Sequence, residues 1–146
     1  MITNERQYKI TRKKAVGFAR AIEQFDTMSQ VRTDVHPRLL RAEREALKSQ
    51  LADLRSELDE YEQLKSTDTS AIPVASFDDL ANGLIKARIA SGLSQRALAQ
   101  RLRLKEQQIQ RYEAERYASA SYRRLCEVAH ALGVRVESEM LLRVAP

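Results

Sequence analysis

Apolar residues early in the chain recur at intervals of three and four: Ala15, Phe18, Ile22 and Phe25. That spacing lines one face of an α-helix, and Thr11 stands where an N-cap would open it. Residues 29–36, rich in turn-forming and β-branched types, interrupt the pattern. Pro37 then takes the first-turn position that proline favours in a new helix. From Leu47 the series Leu47, Leu51, Leu54, Leu58, Tyr61 and Lys65 alternates four and three, a coiled-coil seam whose last position is polar. A helix over residues 37–65 would run about 43 Å at 1.5 Å per residue and needs a partner for its stripe. Two partners fit equally: residues 12–28 folded back as a hairpin, or another protein chain.

Residues 66–76, Ser-Thr-Asp-Thr-Ser-Ala-Ile-Pro-Val-Ala-Ser, break the periodicity as a polar, proline-containing linker. This divides the chain into a helical region over 1–65, the linker 66–76, a second helical region over 77–133 and a tail over 134–146. In the second region Leu98, Ala99 and Leu102 form a short apolar face behind Ser94, an N-cap candidate. A connector, Arg103-Leu104-Lys105, leads to a mostly polar segment in which Ile109 and the ring of Tyr112 are the core-directed groups. With Ile109 buried, 100° per residue places Gln107 and Arg111 almost opposite it and Gln108 and Gln110 on the flanks.

Two short helices so spaced make a helix-turn-helix. The outer groups suit base reading in the major groove, where Gln pairs bidentately with adenine and Arg with guanine. Lys105 and Glu106, at the start of the helix spanning 105–114, would enter the groove first.

From about Phe77 to Gly133 the chain resembles the Xre/Cro family of helix-turn-helix regulators, to which the phage repressors belong. The residues that carry the resemblance are Leu93-Ser94-Gln95, Leu98-Ala99, Gln107-Gln108-Ile109, Glu113 and the closing run from Val128 to Gly133. It implies a five-helix, lambda-repressor-like domain in an all-α chain. In such a domain Glu106, Gln107 and Arg111 face bases and Gln95 binds a phosphate at a helix N-terminus. It also implies an ion pair between Arg88 and Glu113. Two departures stand out. Arg103 occupies a turn position where the family usually has Gly, which requires a left-handed residue or a different turn. The loop over residues 114–121 lacks the usual Asn-Gly and Pro, and Arg116 within it is a phosphate-contact candidate.

The whole chain carries 25 Lys and Arg against 20 Asp and Glu, a net charge of +5. The excess lies with the motif: 12 basic against 8 acidic residues from position 77 onward, and 13 against 12 before it. This is the footprint of a protein that approaches phosphates. The single cysteine, Cys126, precludes an internal disulfide and fits a reducing, cytoplasmic setting. No apolar run suggests a signal peptide or membrane span. His36 and His130 have no metal-ligand spacing around them, and no catalytic constellation or phosphate-binding Gly loop is present, so no metal, cofactor or enzymatic activity is expected.

In the tail Val134, Val136, Met140, Leu142 and Val144 share one parity, a strand pattern that could pair only with a second subunit. The alternative is a short final helix, which Glu137 to Leu142 would also permit. The reading that emerges is a sequence-specific transcriptional regulator, most simply a repressor that binds an inverted-repeat operator in double-stranded DNA as a homodimer. The layout of a helical hairpin ahead of an Xre-like domain also resembles the antidotes of toxin–antitoxin pairs, which neutralise an RNase toxin and repress their own operon. The N-terminal helices would then bind a protein toxin.

Overall fold

A computed structural model describes residues 1–29, 35–66 and 70–137, and the chain falls into two compact units, 1–69 and 70–146. All regular structure among the described residues is α-helical. The first unit consists of α1 (Glu5–Ser29) and α2 (Pro37–Lys65), the second of α3 (Leu80–Ala90), α4 (Gln95–Arg101), α5 (Glu106–Ala114) and α6 (Tyr122–Leu132).

In the first unit α1 packs along α2 as an antiparallel hairpin, so the apolar stripe of α2 is covered within one chain. The expected stripes are in place: Ala15 and Leu51 are buried, and Phe18, Ile22, Phe25, Leu47, Leu54 and Leu58 are half-buried. Tyr8 stacks on Tyr61 with ring centroids 5.3 Å apart. At the other end Arg44 grips Asp26 through two hydrogen bonds of 2.6 and 2.8 Å. That grip holds the Asp26 carboxyl below the usual carboxylate range. Lys65, the polar end of the seam, pairs with Glu5 and lies over the Tyr61 ring, while its neighbour Leu64 is buried.

The start of α1 differs from the sequence expectation. Thr11 lies inside the helix, which opens at Asn4: the Asn4 side chain accepts from the Gln7 backbone N–H at 2.9 Å, and Gln7 reaches back to the Thr3 N–H at 2.8 Å. Two reciprocal side-chain caps at the earlier site satisfy more free N–H groups than a lone threonine could. Pro37 does open α2, with His36 as N-cap accepting from the Arg38 N–H at 3.2 Å.

The second unit has four helices among its described residues where the family resemblance implies five. Residues 115–119 form turns, and α6 stops at Gly133, whose φ of 68° is left-handed. Its core is Leu84, Ile85, Leu98, Ile109 and Val128, all essentially inaccessible. Each such side chain contributes about 1.5–3 kcal/mol by leaving water. Val74, in the expected linker, packs so closely on α3 that a Cβ at Gly83 would lie 2.8 Å from it. In the tail, residues 134–137 have no regular structure. The rest of the expected strand or helix, 138–144, lies outside the described residues, as do 30–34 and 67–69.

The four helices among the described residues of this unit end in the same way. An N–H just past the helix bonds a carbonyl in the last turn: Leu93 to Arg88, Leu104 to Ala99, Tyr117 to Tyr112 and Val134 to Ala129. The residue between is left-handed each time, at Gly92, Arg103, Arg116 and Gly133. This is the Schellman termination, and glycine is its usual occupant. Two of the four turns, those ending α4 and α5, use arginine instead.

Candidate nucleic-acid interface

The candidate interface lies on α4 and α5, joined by a turn only a few residues long. Ser94 caps α4, its hydroxyl accepting from the Ala97 N–H at 3.0 Å. Leu98 and Ala99 hold α4 against the core. Arg103, with φ 55°, turns the chain, and the Gln108 side chain folds back to accept from the Lys105 N–H at 3.2 Å at the start of α5. Ile109 is fully buried and anchors α5.

A network inside the protein fixes the two helices further. The Glu113 carboxylate accepts from Arg88 Nε at 2.5 Å and Nη2 at 2.8 Å, and from Gln95 Nε2 at 2.7 Å. Arg88 also donates to the Leu93 carbonyl at 2.7 Å. The side chains of Arg88 and Glu113 are 3% and 1% exposed, so the pair is desolvated and tied on both sides. One bidentate ion pair with an amide clamp thus links α3, the start of α4 and the end of α5. Tyr117, buried beside it and stacked on Tyr112, has no hydrogen-bond partner for its hydroxyl among the described residues. Burial, and next the Glu113 charge, push that phenol well above its usual range.

With the inner face so fixed, the outer face is defined. Gln107 and Arg111 are exposed opposite Ile109, as the periodicity predicts, and the Arg111 guanidinium lies 5.9 Å from the centre of the Tyr112 ring. Glu106 and Gln110, one turn apart, hydrogen-bond to each other at 3.2 Å and are exposed. Lys105 and Arg116 are exposed at the two ends of α5. Gln108 is half-buried in its capping role, and Gln95 is buried against Glu113, so these two are not brought onto the open face. In the sequence Arg103 stands out only as an anomaly of the turn. It stands exposed just before α5, as Arg116 stands just after. The signal for it was the same in both places: an arginine where a helix C-terminus favours glycine.

Two helices packed at a tight turn, the second presenting exposed hydrogen-bonding side chains, define a helix-turn-helix. Residues 84–138 match the sequence model of the helix-turn-helix family, and the chain carries a domain of its Xre/Cro type, a DNA-binding regulator fold. No curated protein and no solved structure matches the chain. The helix-turn-helix is a binding rather than a catalytic domain type. Among the described residues no helix is long and apolar enough to cross a membrane, and no cluster of His, Cys, Asp and Glu could hold a metal ion.

Proposed function

We propose that this chain is a sequence-specific transcriptional repressor that lays α5 in the major groove of its operator. The observation that carries the reading is the outer face of α5, where Gln107 and Arg111 stand exposed opposite buried Ile109 on a helix fixed by the Arg88–Glu113 pair. In this reading Gln107 and Arg111 meet base edges, with Glu106 and Gln110 beside them and Lys105 at the groove entrance. Gln108 acts by capping α5. For Ser94 and Gln95 the proposal is a phosphate contact at the start of α4, made through the backbone N–H of Gln95 while its side chain holds Glu113. Arg116 contacts phosphate after α5.

Arg103 joins the phosphate contacts. A left-handed non-glycine residue is disfavoured by about 1–2 kcal/mol, and its presence at an exposed turn calls for a gain elsewhere. Arg103→Gly is therefore expected to raise the melting temperature of this unit while weakening binding to all duplexes alike. A variant less stable than the parent, or one with unchanged affinity, would remove Arg103 from the interface.

Alanine at Gln107 or Arg111 is expected to cost about 1–3 kcal/mol of binding and to relax preference at one base pair. Arg116→Ala should weaken every sequence equally and make the salt dependence shallower by about one unit. If Arg111→Ala leaves base preference intact, α5 does not read bases at that position.

A single small module makes few contacts, so the reading includes a homodimer on half-sites about one turn, roughly 34 Å, apart. It places the protein in the cytoplasm and assigns the chain no enzymatic activity. A second reading, an antitoxin that also represses its own operon, is favoured by the apolar side chains that the hairpin leaves in solvent: Met28 and Leu39 are 63% and 61% exposed. Co-expression of the chain with a toxic neighbouring gene product tests it: relief of toxicity supports the antitoxin, and continued toxicity counts against it.

A further inference from the structure

In the N-terminal hairpin the outer face of α1 is basic, whereas that of α2 mixes both signs. In α1, 100° per residue from the stripe of Ala15, Phe18 and Ile22 places Arg6, Lys9, Lys13 and Arg20 on the far side, with Arg12 at its margin and Lys14 beside the stripe. All six are exposed. The carboxylates near the ends of the helix are engaged across the hairpin, Glu5 with Lys65 and Asp26 with Arg44, which leaves Glu23 as the remaining acid of α1. Gly17 lies on the same face with nothing within 4 Å of where a Cβ would stand. The outer face of α2 is mixed: Glu45, Asp53 and Asp59 stand among Arg38 and Arg41, all exposed, and Glu45 is paired with Lys48. The net charge near zero of the N-terminal region thus conceals one basic face, that of α1.

We propose that the outer face of α1 is a second contact surface for duplex DNA, resting on the phosphate backbone outside the site that α5 reads. The proposal rests on the reading of the C-terminal unit as a duplex-binding module. From Arg6 to Arg20 the helix runs about 21 Å, a length over which B-DNA presents about a dozen phosphate charges. A tethered second surface meets the duplex at an effective concentration near the millimolar range, so weak, sequence-independent contacts suffice. The mixed face of α2 offers the duplex no comparable attraction, so the hairpin meets it through α1. A protein partner with acidic patches would satisfy the charge but would gain nothing from the tether to a DNA-binding unit.

The test uses the full chain and a mixed-sequence duplex of about four helical turns. Affinity is measured between about 50 and 200 mM salt for the parent, for Lys9→Gln/Lys13→Gln/Arg20→Gln, and for the charge-keeping Lys9→Arg/Lys13→Arg/Arg20→Lys. Helicity and melting of each variant confirm that the hairpin is intact. The neutral triple variant is expected to bind at least tenfold more weakly at the lowest salt, with a log–log slope shallower by about 2–3, and the charge-keeping variant to match the parent. Parent and neutral variant sharing one slope, or differing only in oligomeric state, would overturn the proposal and leave the role of α5 standing. No duplex binding by the parent itself would overturn both.

Discussion

Replacing Glu113 by alanine is expected to unfold the C-terminal unit near room temperature while leaving the N-terminal hairpin folded. The substitution removes the carboxylate that balances Arg88, which is 3% exposed and would keep its charge in the interior, and it takes an acceptor from the Gln95 amide. Removing one partner of a buried pair costs about 3–5 kcal/mol because the other is left uncompensated. A domain of this size has little more than that in total. Two-step thermal unfolding followed by circular dichroism should therefore lose its C-terminal step. The double substitution Arg88→Leu/Glu113→Leu removes both charges and should be far less damaging than the single one. An unchanged melting temperature for Glu113→Ala would show that the pair does not hold α3, α4 and α5 together.

The second large effect is expected at Ile109, the fully buried anchor of α5. Ile109→Ala should cost about 2–5 kcal/mol, the lost transfer energy plus the cavity left behind. In urea this reads as a lower midpoint with an unchanged slope for the C-terminal transition. The consequence for binding differs from that of the outer face. A loosened α5 lowers affinity for every sequence, whereas Gln107→Ala, two residues away and exposed, leaves stability almost untouched and changes preference. Equal stability effects at positions 107 and 109 would contradict the assignment of the two faces.

Much of this geometry was legible in the sequence because it follows from period. The stripes of α1 and α2, the start of α2 at Pro37, the Ser94 cap and the opposition of Ile109 to Gln107 and Arg111 all follow from spacing. The Arg88–Glu113 pair was available only through family resemblance, since 25 residues separate the partners. Three features were hidden for physical reasons. The opening of α1 at Asn4 depends on reciprocal hydrogen bonds among Thr3, Asn4 and Gln7, which no apolar pattern marks. Gln95 and Gln108 look like surface amides in sequence, yet one clamps Glu113 and the other caps α5, because a polar side chain is placed by its partner and not by periodicity. Tyr117, in a polar loop, is buried because the left-handed turn over Arg116 folds it under α5 against Tyr112.

Whether the chain becomes a repressor rests on one property, base discrimination by α5. The most direct measurement is selection of preferred sites from a random duplex pool by the full-length protein, followed by affinities for the selected site and its shuffled counterpart at two salt concentrations. The account predicts a preference of about a thousandfold or more that survives the higher salt and is relaxed at one base pair by Arg111→Ala. Equal binding to both duplexes, falling steeply and together as salt rises, would contradict it.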